Sequence, residues 1–103
     1  MKRLEPEVTA QLKNVSTLDV SGNGIESLEG VELLKRLKRL IARNNQVRSL
    51  EPLKENVCMV EIDLENNPVD SYAQFVQVLA NKKDILYFNL KLSPLMLTIQ
   101  NYD

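Results

Sequence analysis

A motif that recurs every 22 residues constrains this chain more than anything else in it. The segment Val15-Ser-Thr-Leu18-Asp-Val20-Ser-Gly-Asn23-Gly-Ile25 is followed 22 residues later by Leu37-Lys-Arg-Leu40-Ile-Ala42-Arg-Asn-Asn45-Gln-Val47, and after another 22 by Met59-Val-Glu-Ile62-Asp-Leu64-Glu-Asn-Asn67-Pro-Val69. All three obey L-x-x-L-x-L-x-x-N-x-L, with aliphatic residues or Ala42 in the apolar slots. The match runs on past the motif, with Leu28, Val31 and Leu34 answered by Leu50, Leu53 and Asn56. A fixed period of this length means that each repeat is one supersecondary unit, unable to bury its apolar side alone and stable only when stacked on its neighbours.

The slots have separate physical roles. Leu18 and Val20, Leu40 and Ala42, Ile62 and Leu64 are two apart, the spacing that puts side chains on one face of a short strand. Asn23, Asn45 and Asn67 lie just past each strand, where the chain must bend. A buried asparagine there can satisfy backbone groups that the bend leaves unpaired, and successive amides can form a ladder. Ile25, Val47 and Val69, then Leu28 and Leu50, turn back into the core.

On these residues the chain resembles the leucine-rich-repeat family, in the 22-residue subclass typified by the regulatory subunit of protein phosphatase 1. The resemblance spans about residues 15–89 and implies an α/β fold. That fold is a leucine-rich-repeat solenoid, a curved right-handed coil with a short parallel sheet on the concave side, short helical turns on the convex side and helical caps at both ends. Repeats one, two and three occupy 15–36, 37–58 and 59–69. The N-terminal cap covers 1–14: Pro6 suits a first helical position, and apolar residues four apart predict a short amphipathic helix over about 6–13. A C-terminal cap covers 70–91. Asn67-Pro68 breaks the pattern, Asp70-Ser71 offers an N-cap, and Tyr72, Phe75, Val76 and Leu79 recur at helical spacing. The Tyr72/Phe75 pair reads as core, and the last strand as Ile85-x-x-Phe88-x-Leu90. The tail, 92–103, carries Leu95, Met96, Leu97 and Ile99. It packs on the end of its own domain, continues into a longer parent chain, or pairs with a second copy across an open sheet edge.

The period of two also names the outward residues. They are Thr17, Asp19 and Ser21, then Arg39, Ile41 and Arg43, then Glu61, Asp63 and Glu65, and finally Tyr87, Asn89 and Lys91. A basic coil two lies beside an acidic coil three. Arg39 can pair with Glu61 and Arg43 with Glu65, at ~0.2–1 kcal/mol per exposed pair. The same banding selects a partner with the complementary band. Ile41 is an aliphatic side chain between two arginines, either accidental or an anchor for a partner. The expected partner-binding residues are Asp19, Arg39, Ile41, Arg43, Glu61, Asp63, Glu65 and Tyr87. The run Lys35-Arg-Leu-Lys-Arg39 reads as one buried leucine among solvated cations, and Cys58 as a packed or half-packed thiol.

Chemistry points away from catalysis. The chain has 103 residues, no histidine, one cysteine and three glycines. The commonest general base is therefore missing, no Cys-His nucleophile can form, and no Gly-rich phosphate loop is present. No enzyme activity, cofactor or metal is expected. A net charge of -1 offers no field for nucleic acid or anionic lipid, and no run approaches the roughly 18 apolar residues of a membrane span. With a lone cysteine and no signal-like apolar stretch near Met1, the expected location is the cytoplasm, with the nucleus second. The expected function is a scaffold or adaptor that holds a helix or extended peptide of another protein. Resemblance makes cytoskeletal, ciliary, centrosomal or phosphatase-regulatory settings the natural ones. A ribonucleoprotein assembly component, similar to the spliceosomal A-prime protein, is the alternative, and a structural homo-oligomerisation module is a third reading. The chain itself is expected as a monomer or a weak homodimer.

Overall fold

The computed structural model describes residues 2–96. Four strands, β1 (Thr17–Asp19), β2 (Arg39–Ile41), β3 (Glu61–Asp63) and β4 (Tyr87–Asn89), form one parallel sheet in chain order. The register is the repeat itself: Leu18 lies opposite Leu40, Leu40 opposite Ile62, and Ile62 opposite Phe88. Such short strands have little stability of their own, and their order comes from what stacks behind them. The coils return through 3-10 helices at Val31–Leu33 and Glu51–Glu55. The chain is a leucine-rich-repeat solenoid.

Stacked columns of like residues make the core. Leu40, Ile62, Ala42, Leu64, Ile25, Val47, Val69, Leu50 and Leu53 have no solvent exposure, and Leu28 has almost none. Full burial of each larger aliphatic contributes ~1.5–3 kcal/mol. Asn56 stands in the slot that Leu34 holds one coil earlier. Its Nδ2 donates to the carbonyls of Val31 (3.0 Å) and Leu34 (3.2 Å), so an amide replaces apolar contact by tying two coils together. Its Oδ1 has no partner among the described residues.

Both ends are covered. At the front, α1 (Pro6–Gln11) ends two residues earlier than the apolar spacing predicts, since Leu12 leaves helical geometry. Ahead of it the carbonyl of Lys2 accepts from the amides of Glu26 (2.7 Å) and Ser27 (3.2 Å), and Leu4 is buried against the first coil. Gly30 permits that approach. Its φ is +104°, and a Cβ there would lie 3.1 Å from the Leu4 carbonyl oxygen.

At the back, Ser71 caps α2 (Tyr72–Ala80) by accepting from the Gln74 amide at 3.2 Å. The buried face of α2 corrects the sequence expectation. Tyr72 is 59% exposed, Val76 and Leu79 are exposed, and the residue fully buried is Val78, with Phe75 half-buried beside it. The Phe75 ring meets Phe88 edge-on at 5.2 Å, whereas Tyr72 lies outside at 6.3 Å from Phe75. Polar groups do much of the capping: Gln74 Oε1 accepts from the Leu50 amide (2.9 Å), Asn81 Nδ2 donates to the Lys54 carbonyl (2.8 Å), and Lys82 Nζ donates to the Leu53 carbonyl (2.6 Å). A helix covering the end of a solenoid meets backbone groups that another coil would have paired, and these side chains satisfy them. Within the tail, Leu95 is buried and its amide donates to the Val69 carbonyl at 3.1 Å. Leu97 and Ile99 lie outside the described residues.

Candidate functional site

The sheet has one face on the core and one open face, which carries three rows of side chains. The first row is Thr17, Arg39, Glu61 and Tyr87; the second is Asp19, Ile41, Asp63 and Asn89. Beyond the strands the pairing continues, because the amides of Gly22, Asn44 and Asn66 donate to the carbonyls of Arg43, Glu65 and Lys91, each at 2.9 Å. Ser21, Arg43, Glu65 and Lys91 therefore form a third row.

The second row has a structural duty that the sequence reading missed. Asp19 Oδ1 accepts from the Ser21 amide (3.0 Å), Asp63 Oδ1 from the Glu65 amide (3.2 Å), and Asn89 Oδ1 from the Lys91 amide (2.9 Å). Each is a short side chain bonding the backbone two residues on, which closes the turn at the strand exit. The signal was present as a column of Asp and Asn two residues before Ser21, Glu65 and Lys91. Ile41 is the member of that column with no such group. In its coil the Arg43 amide is bonded by the Ser21 hydroxyl of the coil before, at 3.0 Å. The backbone is satisfied there without help from position 41, which is left free to be aliphatic. Ile41 is half-buried rather than fully outward.

The two arginines on this face are both paired, though not both as their spacing suggests. Arg39 Nε lies 3.6 Å from Glu61 Oε1, straight across the strands. Arg43 does not pair with Glu65; its Nε donates to Asp63 Oδ2 at 2.7 Å. Asp63 corrects a second expectation, because it is buried (2% exposed) and not part of the outward surface. A carboxylate taken from water needs a close cation and donors, and both Arg43 and the Glu65 amide supply them. The bond to Asp63 and its negative charge push the Arg43 guanidinium further up. Glu65 Oε1 instead accepts from Asn89 Nδ2 (3.1 Å), which also donates to the Tyr87 hydroxyl (3.1 Å). Asp19 is exposed, and hydrogen bonds from the Ser21 amide and hydroxyl hold its carboxyl below the usual range.

The asparagines at the strand exits form a graded series. Asn45 is buried; its Oδ1 accepts from the amides of Asn23 and Ile25, both at 3.0 Å, and its Nδ2 reaches the carbonyls of Ala42 (3.0 Å) and Val20 (3.2 Å). Asn67, also buried, accepts from the Val47 amide (3.0 Å) and donates to Ala42 (2.8 Å) and Leu64 (3.1 Å). Asn45 and Asn67 each hold the backbone of their own coil and of the coil before. Asn23 differs in being exposed, with its Nδ2 on the Val20 carbonyl at 2.9 Å, because no earlier coil covers it.

Cys58 departs from its expected packing and is exposed. A cleft of about 350 Å3 lies away from the open face, at the strand exits, lined by Asn44, Asn66, Pro68 and Leu92 among others. Among the described residues no three His, Cys, Asp or Glu side chains come together as metal ligands. No helix of the described residues is long and apolar enough to cross a membrane.

Comparison with known proteins agrees with this architecture. Residues 13–55 match the family model described as Leucine Rich repeats (2 copies). The chain is 35% identical over 81 residues to the human geranylgeranyl transferase type-2 subunit alpha, which covers 76% of this chain and 14% of that protein. It is 33% identical over 87 residues to the human U2 small nuclear ribonucleoprotein A', covering 82% of this chain and 34% of that one. Among solved structures, an internalin C2 from Listeria monocytogenes superposes with a TM-score of 0.67 at 23% identity, over 82% of this chain and 46% of that chain. That likeness is one of fold. The chain thus spans about a seventh of the transferase subunit and about a third of the ribonucleoprotein.

Proposed function

We propose that this leucine-rich-repeat solenoid is a non-catalytic protein-interaction module that holds a helix or extended segment of another protein on the open face of its sheet. Leucine-rich-repeat proteins are protein-interaction modules in general, and the relatives share the fold with this chain. One observation carries the reading: Ile41 occupies the centre of the open face in a column where the other three coils keep a turn-closing Asp or Asn. An aliphatic side chain there contributes no turn closure to its own coil and suits a buried contact with a partner. Arg39, Arg43, Glu61, Glu65, Tyr87 and Asp19 surround it as a polar rim that sets register. Asp63 acts from beneath, by fixing Arg43.

The test is affinity capture from native lysate with wild type and Ile41→Ser, after circular dichroism shows both folded. Arg43 is left unchanged, because its removal strands a buried carboxylate. A protein captured by wild type and lost with Ile41→Ser supports the reading. Equal capture by both sinks it.

The 33% identity to a ribonucleoprotein component favours a second reading of the setting, assembly within a ribonucleoprotein through a protein partner. The cytoskeletal, ciliary, centrosomal or phosphatase-regulatory settings rest on family resemblance alone. With a net charge of -1 we assign no direct nucleic-acid contact to the open face, and we place the protein in the cytoplasm or nucleus as a monomer or weak homodimer.

A further inference from the structure

A second surface lies along the rim where the strands begin. The Lys38 amide donates to the Ser16 carbonyl (2.8 Å), the Val60 amide to Lys38 (2.7 Å), and the Leu86 amide to Val60 (2.9 Å). These bonds make Ser16, Lys38, Val60 and Leu86 direct neighbours across the four coils. In the residues leading into that row, Lys35 and Arg36 of coil two stand where coil three has Val57 and Cys58. Lys35, Arg36 and Lys38 are exposed, and among the described residues their side chains have no ion-pair or hydrogen-bond partner. The neighbouring acid, Glu61, is already taken by Arg39. Next to this cationic half the rim turns apolar: Val57 is 50% exposed, Cys58 is exposed, and Leu86 at 85% is the most exposed large apolar residue described. Lys83 and Asp84, which lead into β4 on the far side, cancel in charge.

We propose that this rim is a docking surface, separate from the open face, for an extended acidic segment of a partner protein. Its carboxylates lie on Lys35, Arg36 and Lys38, and an aliphatic side chain further along covers Val57 and Leu86. Free cations with no internal acid call for external carboxylates, and the adjoining aliphatics call for an apolar group held at a set distance. Neighbouring strands are about 4.8 Å apart, so coil two and coil four are separated by about 10 Å. An extended chain crosses that distance in about three residues, at roughly 3.3 Å each. The recognised pattern is therefore a short acidic run followed, about three residues on, by Leu, Ile or Val. Nucleic acid fits this rim less well, because half of it is aliphatic and, among the described residues, no aromatic ring stands among the cations for a base to stack on.

The experiment uses the full chain and a fluorescein-labelled peptide, SEDEGSLIG, read by fluorescence anisotropy at low ionic strength. Saturable binding is expected, weakened about tenfold by Lys35→Gln/Lys38→Gln, weakened severalfold by Leu86→Ser and unchanged by Ile41→Ser. All of these but Ile41 are exposed, and circular dichroism checks the fold of each variant. Bound peptide should also slow alkylation of Cys58, the chain's single thiol. Absence of saturable binding overturns the proposal. So does binding that is lost with Ile41→Ser but keeps its strength in the lysine and Leu86 variants, since the peptide would then sit on the open face. An oligouridylate that binds through the lysines regardless of Leu86, and displaces the peptide, overturns it in favour of RNA. Because Ile41 is spared here and is the variable in the capture experiment, the two surfaces stand or fall separately.

Discussion

Removing the asparagine amides one at a time should give a ranked series of losses that follows from their hydrogen bonds. In Asn45→Ala the carbonyls of Val20 and Ala42 keep a second donor each, from Asn23 (2.9 Å) and Asn67 (2.8 Å). The Asn23 amide lies at an exposed position and can turn to water. The group left with nothing is the amide of Ile25, a residue with no solvent exposure. One orphaned buried N–H costs ~1–3 kcal/mol. Asn67→Ala leaves two such groups, the Val47 amide and the Leu64 carbonyl, which accepts from Asn67 alone among the described residues. It should cost more than Asn45→Ala. Asn23→Ala exposes its partners only to water and should stay within ~0.5 kcal/mol of wild type. Urea unfolding followed by circular dichroism at 222 nm measures all three, and in a domain of this size each kcal/mol moves the melting temperature by roughly 4–8 °C. Equal losses at 23 and 67, or an unchanged Asn45→Ala, would refute the argument that these amides act by satisfying the backbone of adjacent coils.

Other positions allow shorter tests. Leu92 has φ +65° in the slot where Gly22, Asn44 and Asn66 also have positive φ, and it is 64% exposed; Leu92→Gly should therefore stabilise the fold by ~1 kcal/mol in the same urea assay. A loss of stability there would show that the leucine is held by contacts. Arg43→Ala should cost more than Arg39→Ala, because it leaves Asp63 buried without its cation, whereas the Arg39–Glu61 pair is exposed; equal losses would contradict that difference in burial. Lys82 is buried, and desolvation lowers its pKa from the ordinary 10.5. The unfolded chain then binds the proton to higher pH, so the desolvation cost is present at neutral pH and fades as pH rises through the lowered value toward 10.5. Wild type should gain stability relative to Lys82→Met across that alkaline interval, and a constant difference would mean that burial does not shift the group.

The coils were legible in the residues because one spacing rule and one apolar alphabet repeat without a gap. Leu18, Leu40 and Ile62 align in sequence as they do in the sheet. What was not legible involves polar groups with backbone partners. Asp63 looks like an outward acid by alternation alone; its burial depends on a bond to an arginine in the preceding coil and an amide two residues on. The stripe of α2 was misplaced for a related reason. Counting apolar residues selects Tyr72, Val76 and Leu79, whereas the helix turns Gln74, Phe75 and Val78 toward the last coil, and Lys82 follows from the turn after it, because the free backbone there needs polar partners. Of the candidate site, the outward columns were readable and the pairing within them was only partly so. Arg39–Glu61 follows from register, while Arg43 takes the diagonal partner because Asp63 is the carboxylate removed from water.

Partner binding on the open face is tested most directly by site-specific photo-crosslinking from the centre of the sheet. A benzoylphenylalanine placed at Ile41, with a second at Leu33 on the 3-10 side as comparison, would be irradiated in native lysate and the products identified by mass spectrometry. A discrete protein adduct is expected from position 41, absent from position 33 and abolished by competition with excess unlabelled wild type. Adducts formed only from position 33, or none that wild type competes away from position 41, would contradict the claim that the open face holds the partner.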